Sequence, residues 1–260
     1  MQKEEKLRSL YKKYKELNIE NQLDYNKFYM YSLITHSTAI EGSTITEIEN
    51  QLLFDEDISP HGRSMTEQLM NLDLKNAYEK SIQHATTKTD FTIDSLKELC
   101  ALVLKNTGTE YNTIAGKFSS TNGDLRLLNV TASPQGASYM NYEKVPEKLE
   151  SFCKELNNKR KSIAPNDIVA IYSLSFEAHY QLVTIHPWAD GNGRMSRLLM
   201  NQIQFEFNIA PSYIDKSKKA QYIEALVETR KTKDLTIIVN FMIDEQIANL
   251  ETIISNYCSE

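Results

Sequence analysis

Glycine and proline are scarce in this chain, eight and six among 260 residues, and that scarcity constrains the fold more than any other feature. Both residues interrupt helices, so their rarity predicts long helices joined by few tight turns. The apolar spacing agrees. Leu7, Leu10, Tyr11, Tyr14 and Leu17 recur three and four apart, which predicts an amphipathic helix near the start. Phe28 to Ile40 predicts a second, with Gly42 placed to end it. Thr46-Glu-Ile-Glu49 has capping-box form and opens a third through Leu52 and Leu53. The polar run Asp55 to Ser64, with Pro60 and Gly62, is a loop. A longer helix is expected from Met65 to His84, then a connection over Asp90 to Ser95 and a helix from Leu96 to Leu104. Asn166 or Asp167 caps a helix over Ile168 to Val183, with Ile168, Tyr172, Phe176 and Tyr180 on one stripe. Pro187 stops it, and a further helix opens at Gly193 and Arg194.

One region departs from the helical habit. Leu125 to Thr131 and Ala137 to Met140 are short β-prone runs around Ser133-Pro-Gln-Gly136, a good turn sequence, and predict a β-hairpin. Gly108 to Lys117 has a distant look of a phosphate loop, but seven residues separate its glycines rather than four, and Phe118 stands where Ser or Thr would bind Mg²⁺. That segment is not a phosphate loop.

Composition narrows the function classes. Acidic residues outnumber basic ones, 35 to 29, for a formal charge of −6, which argues against a general nucleic-acid binder. Three scattered cysteines, Cys100, Cys153 and Cys258, predict neither a disulfide framework nor a zinc site and fit a reducing compartment. The amino terminus is too charged for a signal peptide, and no apolar run is long enough to span a bilayer. The expectation is a cytoplasmic protein that binds neither membrane nor nucleic acid directly.

The chemistry concentrates in His186-Pro-Trp-Ala-Asp-Gly-Asn-Gly-Arg-Met-Ser-Arg197. His186 is a candidate base, because an imidazole titrates near neutrality. Asp190 offers a hard oxygen of the kind Mg²⁺ takes alongside phosphate oxygens. Gly191 and Gly193 allow a sharp turn whose N–H groups form an anion nest, with Asn192 between them. Arg194 and Arg197 lie three apart at a helix start, so both guanidinium groups reach one side. Singly, each has an ordinary reading as turn, loop or solvated helix face. Together they follow the order base, metal ligand, phosphate nest, cationic clamp. His36, His61, His84 and His179 show no metal-ligand spacing and read as surface or core residues.

This motif resembles the Fic family signature, His-Pro-Phe-x-Asp/Glu-Gly-Asn-Gly-Arg-x-x-Arg, with Trp188 in place of Phe. Upstream, Ser37-Thr-Ala-Ile-Glu41-Gly42 is similar to the Fic inhibitory motif, Ser/Thr-x-x-x-Glu-Gly/Asn. A carboxylate in the last turn of a helix opposes the dipole, which hints that another force holds it. The resemblance covers most of residues 30 to 250. It implies a mainly α, Fic/Fido-type helical bundle with a short β-hairpin flap, divided into an N-terminal helical region, 1–90, carrying the inhibitory motif, and a Fic catalytic core, 91–260.

The same resemblance implies a protein adenylyltransferase that moves AMP from ATP to a hydroxyl of a target protein docked at the flap, with Mg²⁺ as cofactor. His186 would be the base and Asp190 the metal ligand. Gly191, Asn192, Gly193, Arg194 and Arg197 would bind the phosphates, and Tyr222 matches a position often near the adenine, although core packing explains it equally well. Ser37, Glu41 and Gly42 would form the inhibitory element, with Glu41 reaching Arg197. Alternatives are AMP removal, transfer of another phosphate-containing group, and, least favoured, a non-catalytic peptide-binding module. Target identity is left open, as is a homo-oligomer.

Overall fold

A computed structural model describes residues 2–22, 25–132 and 138–258. Ten α-helices and one two-stranded sheet occur among them. The helices are α1 (Gln2–Glu16), α2 (Tyr25–Ile40), α3 (Glu47–Asp55), α4 (Met65–Thr86), α5 (Ile93–Val103), α6 (Val145–Ser162), α7 (Ile168–Ile185), α8 (Asn192–Glu206), α9 (Lys219–Thr232) and α10 (Leu235–Cys258), with strands β1 (Glu110–Thr113) and β2 (Gly116–Ser119) after α5. The mainly α expectation holds.

Local chemistry sets the boundaries. Thr46 caps α3 through the expected capping box with Glu49. Ser64 with Glu67 and Thr92 with Ser95 form two more at the starts of α4 and α5, satisfying amide donors that a helix start leaves free. The Thr92 box starts α5 at Ile93, inside the run expected to be a connection. Asp167 caps α7 by accepting from the Ala170 amide at 3.3 Å.

Strands β1 and β2 pair antiparallel from Glu110↔Ser119 to Thr113↔Gly116. This is the segment with the superficial look of a phosphate loop, and it is a hairpin instead. The expected flap runs approach each other as antiparallel neighbours through one bridge, Thr131↔Ser138, and one hydrogen bond, Tyr139 N to Val130 O. The turn proposed at 133–136 lies outside the described residues.

Helices α7 and α8 form the central hairpin, and apolar side chains cover both of its sides. Leu174, Leu182, Met195 and Leu198 face a cluster built with α2, α4, α5 and α6. Ile171, Tyr172, Phe176 and Met200 face a second cluster with α1, α9 and α10. The turn between α7 and α8, which carries the motif, is therefore held from both sides.

Candidate active site

His186 ends α7 in the left-handed conformation, φ 53°. Its amide donates to Leu182 O, and its Nδ1 lies 3.2 Å from Val183 O. A carbonyl only accepts, so Nδ1 carries the proton and Nε2 is left as the acceptor. Burial pushes the imidazole down to about 4, with nearby Arg126 and Arg230 acting the same way against the Val183 hydrogen bond and Asp190. The ring is neutral at pH 7.

The turn after it is braced by side chains. Trp188 is fully buried and donates Nε1–H to Gly123 O at 3.1 Å. Asn192 clamps the Trp188 backbone, accepting from its amide at 3.1 Å and donating to its carbonyl at 2.8 Å. Gly191 caps α8 at φ 77°, a conformation that favours glycine. A Cβ at Gly193 would collide with Glu41 Oε1, so only glycine lets that carboxylate lie over the start of α8. Free amides and the helix dipole make this end suited to an anion, and the Glu41 carboxylate lies next to Gly193 there.

Glu41 comes from the turn after α2. Its Oε1 accepts from Arg197 Nη2 at 2.5 Å, while Arg197 also donates to Ser37 Oγ at 2.8 Å and Ser37 O at 2.9 Å. Burial pushes the Glu41 carboxyl up, but Arg197, with Arg194 and Lys219 beyond it, outweighs that effect and holds it below the ordinary carboxylate value. Solvent still reaches 35% of the Glu41 side chain. Gly42 follows at φ 106° in open space. Four buried polar residues hold the end of α2 in place: Asn71 of α4 accepts from Thr38 and Asn50 and donates to Ser43.

The other expected residues gather around the same point. Arg194 is buried, reaches Val103 O at 3.4 Å and sits 3.6 Å from Asp190 Oδ2, and its Nε has no partner among the described residues. Asp190 is 59% exposed and accepts from the Gly191 amide at 2.6 Å. Tyr222 lies behind Arg197. It is 1% exposed, with its hydroxyl 2.9 Å from His179 Nε2. Burial pushes its phenol up to about 12, and Arg197 is a neighbour.

Three contributors escaped the sequence reading. Arg126, buried before the flap, donates to His186 O at 2.8 Å, to Leu128 O at 2.7 Å and to Met140 O, so it ties the flap base to the motif turn. A lone arginine inside Leu125-Arg-Leu-Leu128 was its one available signal, since a buried guanidinium must find acceptors. Tyr139 stacks on His186 with ring centroids 3.7 Å apart, and Arg230 of α9 lies over the other face of the stack, 4.4 Å from the Tyr139 ring centre. No local pattern relates residues so distant in sequence.

The helical hairpin sets a histidine beside a glycine-rich helix start and two buried arginines, an arrangement whose chemistry suits a phosphate. Residues 90–204 match the Fic/DOC family. The protein adenylyltransferase Fic of Drosophila melanogaster is 29% identical over 222 residues, 81% of this chain and 39% of the relative. The chain thus spans well under half the length of the curated relatives it matches. Among solved structures, a Fic domain containing signaling protein from Bacteroides thetaiotaomicron superposes with a TM-score of 0.77 at 21% identity, covering 98% of both chains. Fic-1 of C. elegans gives 0.72 at 22%, covering 96% of this chain and 71% of the other. Residues 90–204 thus resemble the Fic/DOC family, and the fold is that of the Fic-domain structures.

Proposed function

We propose that the protein transfers AMP from ATP to a hydroxyl of a target protein and that Glu41 restrains the reaction. The observation that carries this reading is the Glu41 carboxylate lying over Gly193 and bound to Arg197, where a polyphosphate would otherwise lie. His186 Nε2 takes the proton of the target hydroxyl as its oxygen bonds to the α-phosphorus, and the bond to pyrophosphate breaks. Amides of Gly191, Asn192 and Gly193 stabilise the charge on the α-phosphate; Arg194 and Arg197 hold the departing phosphates. The relatives' name, protein adenylyltransferase, supports the reaction class.

Among the described residues no three His, Cys, Asp or Glu side chains gather to hold a metal. The exposed, single carboxylate of Asp190 fits Mg²⁺, which completes its shell with phosphate oxygens and water. Bound there, Mg²⁺ would neutralise phosphate charge. AMP removal, with Glu41 orienting a water, would use the same groups.

Incorporation from α-labelled ATP tests the reading. Glu41→Gly is expected to raise it about ten- to hundredfold, the bias of a charge-assisted hydrogen bond of about 1.5–3 kcal/mol. Adding His186→Ala should lower it roughly a hundredfold or more with ATP still bound. A Glu41→Gly protein that binds ATP and Mg²⁺ yet is no faster would overturn the restraint; if the wild type instead strips AMP from a modified protein, removal is the activity.

A further inference from the structure

Three lysines crowd the start of α9, Lys216 and Lys218 in the turn before it and Lys219 as its first residue, and all are exposed. No side chain caps this helix start, and cations there oppose its dipole. None of the three has an ion-pair partner among the described residues. Their surroundings differ. Lys216 lies near Asp215 and Lys218 near Glu245, whereas Lys219 is close enough to Glu41 to help keep its carboxylate charged.

Two buried fastenings fix Lys219 in that place. Before it, the Lys216 amide donates to His36 Nδ1 at 3.0 Å, and His36 is the α2 residue next to Ser37, whose hydroxyl accepts from Arg197. After it, the Tyr222 hydroxyl lies 2.9 Å from His179 Nε2 of α7. Residues three apart share a helix face, so Lys219 stands one turn before Tyr222 on the face turned toward Arg197 and Glu41. The charges gathered there do not balance. Arg197, Arg194 and Lys219 all act on the one Glu41 carboxylate, and the other carboxylate, Asp190, is 59% exposed and 3.6 Å from Arg194. Arg194 Nε is buried without a partner among the described residues. Three cations facing two carboxylates suit an anion of more than one charge.

We propose that Lys219 determines specificity for a triphosphate: once Glu41 is displaced, its ammonium joins Arg197 in binding the terminal phosphate of the nucleotide. The α-phosphate belongs at the Gly191–Gly193 amides beside His186. Glu41 marks the other end of the phosphate run, where Arg197 sits, and Lys219 faces that end. A diphosphate stops short of it and gains nothing from the extra cation. The assignment deepens the AMP-transfer reading and rests on it.

Calorimetric titration of the Glu41→Gly protein with ATP, ADP and inorganic tripolyphosphate tests it, with Lys219→Gln and Lys218→Gln added singly. Lys219→Gln is expected to weaken ATP and tripolyphosphate about fivefold, the upper end for a solvent-exposed ion pair, and to leave ADP nearly unchanged. Lys218→Gln loses the same charge on the Glu245 side and should leave all three ligands unchanged. Both side chains are exposed, so neither variant threatens the fold, and Lys219→Arg should restore the preference for ATP. Equal losses from the two lysine variants, or equal losses for ATP and ADP, would overturn the assignment. Labelling from α-labelled ATP separates the other failure: tripolyphosphate binding that depends on Lys219, with no label reaching any protein, keeps the role of the lysine and sinks the transfer reading.

Discussion

Tyr139 shields one face of the His186 ring, and burial is the largest cause of the imidazole's depressed titration. Tyr139→Ala should therefore raise the His186 pKa from about 4 toward the ordinary 6.5, which proton NMR of the ring can follow. An unchanged titration would mean that the rest of the pocket, not the tyrosine, desolvates the histidine. At this scale the sequence was most informative where residues act as neighbours. His186, Asp190, the two glycines and both arginines lie within one turn and a helix start, so a local pattern revealed them. Glu41 and Ser37 were legible because their own short motif is local too. Arg126, Tyr139 and Arg230 join the site only through tertiary packing, and Tyr222 is buried beside Arg197.

Among the elements, α2 matters through what holds its last turn. Asn71 of α4 is fully buried and bonded to Thr38, Asn50, Ser43 and Glu67 O. Asn71→Ala would leave several of these groups unsatisfied, at a cost of about 1–3 kcal/mol, and would loosen the arm carrying Glu41. The expected result is a lower denaturation midpoint together with AMP incorporation above wild type, short of the Glu41→Gly level. Lower stability with unchanged incorporation would show that the network holds the fold but not the arm. The helices were readable from periodicity and capping residues, since both act within a few positions. The strands were not. β1 and β2 are four residues each, too short for an alternation to stand out, and their aromatic pair, Tyr111 stacked on Phe118 at 4.7 Å, becomes visible only once the register is known. The flap runs, in contrast, carried a strong turn signal, yet their described part holds a single bridge.

For the molecule as a whole, buried histidines set a pH limit. Burial lowers His36, His84, His179 and His186, the last two to about 3 and 4. In the unfolded chain they titrate near 6.5, so below that pH the unfolded state binds more protons, and stability falls as pH drops from 6.5 toward 4. Urea midpoints at pH 7.5 and 5 should differ in that direction, with a smaller difference in His186→Gln; a flat profile would contradict the burial of these rings. The Glu41–Arg197 pair has a different global consequence. With the Glu41 carboxylate bound to Arg197 beside the start of α8, the protein carries a built-in counter-ion there. Removing that carboxylate leaves a buried arginine and a helix terminus facing an uncompensated positive hollow, which small oxyanions will enter. The melting temperature of Glu41→Gly should therefore climb with added phosphate or sulfate, by the linkage RT ln(1 + [L]/Kd), while that of the wild type stays nearly level. A scan against salt type at constant ionic strength would then report, without any nucleotide or target, whether the Glu41 carboxylate neutralises Arg197 in solution.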